Sequence, residues 1–208
     1  NLSRSRPLTE RHFGELVMPT ASHPAIRKLK RRGSYPSIHG NKLWKSSCLL
    51  LDYLVTNPPE HTARVVDAGC GWGACGIWCA KALGSEVTSL DADPDVFPFL
   101  EVVATLNEVS TTALVSRFDQ LSTRQLSGFD MLIAADICFW DELVDPVYNM
   151  INRAVTAGVK QIVIADPERP TFHEMAQRCV ERHCAELFDW ESHSPTKASG
   201  AILLIHNA

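Results

Sequence analysis

The chain has 208 residues, of which 45% are hydrophobic and 21% charged. That balance suits a single globular domain and excludes a largely disordered chain. No apolar run is long enough for a membrane-spanning helix, residues Asn1 to Arg6 carry no signal-peptide pattern, and seven scattered cysteines point to reduced thiols in a cytosol rather than to a disulfide framework.

The net charge of −4 is unevenly divided. Arg4, Arg6, Arg11, Arg27, Lys28, Lys30, Arg31, Arg32, Lys42 and Lys45 stand against Glu10 and Glu15, so residues 1–45 carry +8 and the remainder −12. This describes a basic arm, residues 1–42, ahead of an acidic domain, residues 43–208. The arm either pairs with the body's own acids or recruits an anionic partner such as nucleic acid. The first reading is preferred, because no aromatic residues interleave the Ile26–Arg32 run.

Pro7, Pro19, Pro24 and Pro36 predict an irregular arm with at most short helices. Leu43, Ser47, Leu50, Leu51 and Leu54 share a helical face that ends at Pro58-Pro59. Arg64 to Asp67 reads as a buried strand followed by a Gly-rich turn, and Gly76 to Leu83 as a helix. Glu86 to Leu90 is a second strand, after which Asp93-Pro94 caps a helix with Val96, Leu100, Val103 and Asn107 along one face. Strands follow over 112–116, 131–134 and 161–165, with a helix over Leu143 to Val155 and a capping box, Thr171-Phe-His-Glu174, opening another. Two strands, 184–190 and 200–206, close the chain. The alternation implies parallel βαβ units in a doubly wound, Rossmann-like α/β sheet of seven strands. The connection between the closing pair is too short for a crossover helix, so the last strand runs antiparallel.

The chemistry concentrates in Val65 to Gly76, VVDAGCGWGACG. A strand ends at Asp67, and Gly69, Gly71 and Gly73 follow at alternate positions, leaving bare backbone against which a ligand can lie before a helix N-terminus. Asp91 closes the second strand, where a carboxylate can accept bonds from both ribose hydroxyls. Gly71 to Gly76 also satisfies the dinucleotide pattern GxGxxG. However, Asp67 would repel a pyrophosphate and suits a ligand with a cationic amino-acid end, which favours S-adenosylmethionine over a nicotinamide dinucleotide. Cys75 and Cys79 stand four apart on a helix, but no further Cys or His completes a four-ligand set, so they are read as packing residues and no metal site is expected.

The Asp-x-Gly-x-Gly-x-Gly run, the strand-end Asp91 and the terminal hairpin resemble class I S-adenosylmethionine-dependent methyltransferases over residues 43–208. Gly40-Asn-Lys-Leu-Trp44-Lys-Ser-Ser, Asp136-Ile-Cys-Phe139 and Asp166-Pro-Glu-Arg169-Pro170 resemble segments of the family 16 lysine methyltransferases, including the electron-transfer flavoprotein β-subunit lysine methyltransferases. Bacterial relatives of that group are often labelled predicted nicotinamide N-methyltransferases. Phe139 stands where that family has Tyr, and Glu168 where it has Gly. The resemblance implies that Asp67 and Gly69 hold the methionine end, Asp91 the ribose, and Asp119 with Phe118 the adenine. Trp44 would cover the cofactor, and Ala135 would join the same cofactor-binding set. Asp136 would orient an acceptor amine, with Phe139 and Trp140 walling its pocket. The implied activity is N-methylation of a protein lysine in the cytoplasm, with a small amine as the alternative acceptor. A nicotinamide-dependent oxidoreductase and a non-catalytic binding module remain as readings from other classes.

Overall fold

The computed structural model describes residues 8–36, 42–60, 63–193 and 196–207. A seven-stranded sheet runs in the order β5 (Thr112–Val115), β4 (Glu86–Asp91), β3 (Arg64–Ala68), β6 (Met131–Ala135), β7 (Gln161–Asp166), β9 (Ala198–His206), β8 (Glu186–Ser192). β5, β4, β3, β6 and β7 are parallel neighbours, and β9 pairs antiparallel with both β7 and β8. The last strand therefore enters the sheet interior and leaves β8 at the edge.

The central strands are mostly apolar because both faces are covered. Val65, Met131, Ile133, Val163 and Ile202 face α2 (Lys45–Thr56), α3 (Ala74–Leu83) and α4 (Phe97–Leu106). Val66, Leu132, Ala134, Ile162, Ile164 and Leu203 face α6 (Val144–Thr156) and α7 (Pro170–His183), with the short α5 (Thr123–Leu126) beside them. The order reverses at β3, which has β4 on one side and β6 on the other, so a crevice opens beyond the carboxyl ends of these strands.

Several local expectations are corrected. The arm is not irregular over its described part: β1 (Glu10–Phe13) and β2 (Leu16–Pro19) form an antiparallel hairpin, followed by α1 (Pro24–Arg31). Gly14, at φ +59, opens the two-residue turn, a hairpin signal that the prolines obscured. Leu16, Met18 and Ile26 are buried in the core, while Arg27, Lys28, Arg31 and Arg32 stay exposed. The capping box at Thr171 does not form. Pro170 occupies the first helical position, Arg169 is the N-cap, and the Thr171 hydroxyl donates to the Cys138 carbonyl instead. A single 3₁₀ turn, Asp141–Leu143, leads into α6. The strand expected from residue 184 starts at Glu186, because Cys184 ends α7 in the left-handed region at φ 52.

Asn107, expected on the same helical face as Val96, Leu100 and Val103, joins the hairpin to the body. Its Oδ1 accepts the Val17 N–H at 2.8 Å, and its Nδ2 donates to the carbonyls of Val17 at 2.7 Å and Val103 at 2.8 Å. Lys81 Nζ reaches the Glu15 carbonyl at 2.7 Å and Asn107 Oδ1 at 3.2 Å. Asn107→Ala strands the Val17 amide and carbonyl in a partly buried setting. The expected cost is about 3 kcal/mol, read as a lowered midpoint in urea denaturation.

Among the described residues no helix is long and apolar enough to cross a membrane. Nor does any group of three His, Cys, Asp or Glu among them lie close enough to share a metal ion. Cys75 and Cys79 are buried in the core around α3.

Candidate cofactor and acceptor site

The crevice holds a cavity of about 490 Å³, lined by the turn after β3, the ends of β4 and β6, the loop after β5 and the start of α2. That volume lies within the range of small-molecule sites. Its charged lining consists of Asp91, Asp119, Asp136 and Glu142 against Lys42 and Arg117, an acidic balance that suits a cationic ligand better than a pyrophosphate.

The turn after β3 is built for close approach. Gly69 and Cys70 donate their N–H groups to the Leu90 carbonyl at 2.8 and 2.9 Å, locking the turn onto β4. Gly69 sits at φ +71, and a Cβ there would lie 2.6 Å from Ile137 Cγ2. Gly71, at φ +52, is the opposite case: a Cβ would meet no atom within 4 Å, because the space beside it is the cavity. Gly73 does not line the cavity. It is the N-cap of α3, and a Cβ would be 2.8 Å from Leu100 Cδ1.

Asp67, expected to hold the methionine end, is not among the residues that line the cavity. It is buried beneath the turn, and its Oδ2 accepts the Gly76 N–H at 3.0 Å. The first turn of α3 leaves amides without helical partners, and this carboxylate satisfies one of them. Burial pushes the Asp67 carboxyl up to about 7, against the pull of the Gly76 amide, and the nearby Asp91 adds to the rise.

Asp91 does face the cavity. Its Oδ2 accepts the Gly71 N–H and its Oδ1 the Asp93 N–H, each at 3.0 Å, so one side chain ties the end of β4 to the Gly turn. Burial raises its pKa, and these amides oppose the rise. The loop after β5 is pinned by Arg153, which donates to the carbonyls of Phe118 and Leu121, both at 2.7 Å. Phe118 lies half-buried beside Gly69, while Asp119 is exposed and pairs with Arg117 at 3.2 Å. Trp44 caps α2, with the Lys42 ammonium 4.0 Å from its ring centroid.

At the end of β6, Ala135 and Asp136 line the cavity beside Phe139 and Trp140, whose rings meet edge to face at 4.8 Å. Asp136 adopts φ +63, uncommon for a residue with a side chain and frequent at functional sites. The sequence reading missed the roles of three residues. Trp72 lines the cavity, stacks on Phe99 with centroids 5.3 Å apart, and its buried Nε1 has no hydrogen-bond partner among the described residues. Ser46 and Arg169 both reach Asp136. Nothing in the sequence marks Ser46, whereas Arg169 stood in the quoted Asp166–Pro170 segment.

Residues 38–135 match the methyltransferase small domain. Sequence relatives include the electron transfer flavoprotein beta subunit lysine methyltransferases. That of Danio rerio is 26% identical over 141 residues, 67% of this chain and 54% of that protein. That of Rattus norvegicus is 24% identical over 155 residues, 74% of this chain and 59% of that protein. This chain thus spans little more than half the length of these relatives. Among solved structures, an rRNA methylase of Streptococcus thermophilus superposes with a TM-score of 0.58 at 9% identity, covering 80% of this chain and 99% of that one. The Pyrococcus abyssi tRNA (uracil-54, C5)-methyltransferase in complex with S-adenosyl-L-homocysteine gives 0.53 at 17% identity, over 94% of this chain and 43% of that one.

The chain has the class I S-adenosylmethionine-dependent methyltransferase fold.

The cavity fits that methyl donor on its own terms. The open backbone beside Gly71, the acidic lining and the Asp91 carboxylate at the end of β4 suit a nucleoside with a cationic amino-acid end.

Proposed function

We propose that the protein methylates a nitrogen, specifically a lysine side chain of another protein, and that the two ends of the cavity divide the work. On the cofactor side, Gly69 and Gly71 offer backbone to the methionine portion, Asp91 accepts from the ribose, Phe118 and Asp119 meet the adenine, and Trp44 and Ala135 close around it. When bound, S-adenosylmethionine supplies a methyl group already activated by its sulfonium, so alignment of the acceptor is the main task left to the protein.

The observation that carries the acceptor assignment is the Asp136 carboxylate on the cavity wall beside the Phe139–Trp140 pair. A carboxylate can receive an N–H from the incoming amine and hold its lone pair toward the methyl group. The aromatic faces strip water from the amine and favour the cation that forms as the methyl is transferred. The similarity to lysine methyltransferases supports a protein acceptor.

The test is transfer of a tritiated methyl group from S-adenosylmethionine to a lysate of a strain lacking the gene, followed by mass spectrometry of the labelled species. Label on lysine of one or a few proteins is the expected result. Label confined to the low-mass fraction would make the acceptor a small amine.

Two substitutions separate the two ends. Asp91→Ala removes a charged acceptor from the cofactor side and is expected to weaken S-adenosylmethionine binding by about 1.5–3 kcal/mol in calorimetric titration. Asp136→Asn keeps the shape and removes the charge. Arg169 retains Asp166 as its partner, so the fold survives and cofactor affinity stays within twofold. Methyl transfer is expected to fall about 10- to 100-fold, the equivalent of losing one charged hydrogen bond in the transition state. Full activity in this variant would move the acceptor site elsewhere.

A further inference from the structure

Three parts of the chain converge on Asp136. The residue follows β6, and its left-handed backbone is held by its own N–H bonding to the Ala165 carbonyl of β7 at 2.9 Å. Its Oδ2 accepts from Ser46 Oγ at 3.2 Å, and Ser46 is buried in the first turn of α2. Its Oδ1 pairs with Arg169 Nη1. Arg169 in turn is seated on Asp166: its N–H donates to Oδ1 at 2.8 Å and its Nη1 to Oδ2 at 3.0 Å. Asp166 ends the central strand β7 and is 0% exposed, so this seat belongs to the rigid middle of the sheet. Neither Arg169 nor Asp166 lines the cavity. Whatever they contribute there passes through Asp136.

A carboxylate with two oxygens and a free χ1 would otherwise sample several directions, and Asp136 is a charged group on the acceptor wall. One guanidinium nitrogen, Nη1, shared between two carboxylates restricts that freedom. We propose that Arg169, seated on Asp166, is a positioning residue for the acceptor side of the cavity, fixing the direction in which Asp136 presents its carboxylate. This rests on the reading that the acceptor amine meets Asp136.

The seat depends on pH. Burial pushes the Asp166 carboxyl up to about 6. Arg169 pulls it down, and Asp136 across the guanidinium raises it. Cys138 in the loop after β6 also faces Asp166, and Glu174 of α7 lies near that thiol. From β9 the neighbours are Gly200 and Ala201, which do not titrate. The folded pKa is raised, so Asp166 takes up its proton as pH falls through about 6. The guanidinium then keeps its ion pair with Asp136 but loses the charged anchor that fixes its own place.

The experiment compares the full chain with Arg169→Lys and Asp166→Asn. Tritiated-methyl transfer to the gene-deleted lysate, at saturating S-adenosylmethionine, is expected to fall at least tenfold in both. Calorimetric affinity for S-adenosylmethionine should stay within twofold, and the melting temperature should be little changed. An acceptor-independent readout is the carboxyl ¹³C resonance of Asp136 in protein labelled at aspartate. In the wild type it shifts as Asp166 titrates near pH 6, and in Arg169→Lys that response shrinks to what the two carboxyls exert on each other directly. Retention of the full response, undiminished transfer in the variants, or loss of transfer in step with cofactor affinity and stability would each overturn the proposal. If the wild type labels no lysate protein, the lysine reading fails, while the resonance still decides the positioning role.

Discussion

Gly71→Leu is expected to give a folded protein that binds S-adenosylmethionine at least 100-fold more weakly, about 2.7 kcal/mol. Two effects combine. The position needs φ +52, where a side chain costs about 1–3 kcal/mol of backbone strain. The leucine would also project into the open space beside the turn, which the ligand must occupy. Because no atom lies within 4 Å of the added Cβ, the side chain enters open space without a clash at its root, and the Asp91 bond to the Gly71 amide still holds the turn in place. Calorimetric titration beside a thermal melt checks both halves. Unchanged affinity in a folded variant would mean that the ligand does not pass over this turn.

The largest loss of stability is expected at a glycine far away in sequence. In Gly200→Ala the new Cβ would fall well inside contact with the Asp166 carbonyl oxygen, 3.1 Å from its carbonyl carbon and 2.9 Å from Leu49 Cδ2. Leu49 can turn aside, but the carbonyl belongs to β7 in the middle of the sheet and can yield only if β7 and β9 separate. Overpacking of this kind costs about 3 kcal/mol or more, which for a chain of this size lowers the melting temperature by about 6–12 °C. The displaced strand end also carries Asp166, so methyl transfer should suffer more than cofactor affinity. An unshifted urea midpoint would show that the two strands part without cost.

The parts of the site that lie close together in sequence were legible there. Asp67 to Gly73 reads as a strand end and a bare turn because glycine at alternate positions has few other uses. Asp91 reads as a strand-end carboxylate because Glu86 to Leu90 has strand composition and Asp93-Pro94 starts a helix immediately after. Both places were found, yet the tasks were not fully assigned. Asp67 proved to satisfy the amide of Gly76 beneath the turn, since the orphaned amides of a buried helix start compete for any nearby carboxylate. The hairpin of residues 10–19 was obscured by a proline count, although Phe13-Gly-Glu-Leu16 carried a turn signal.

By itself the sequence determined the alternation of strands and helices, the antiparallel last strand and the composition of the cofactor turn. These depend on periodicity and on backbone freedom, both properties of neighbouring residues. Only the tertiary structure decided which charges meet. Ser46, Asp136, Asp166 and Arg169 come from three separate parts of the chain and form one network. Asn107 ties the hairpin to the end of α4, and Gly200 makes room for the Asp166 carbonyl. Such pairings are fixed by strand order and register, which bring distant residues within hydrogen-bonding reach. A side chain's partner, unlike its secondary structure, is not encoded by the residues beside it.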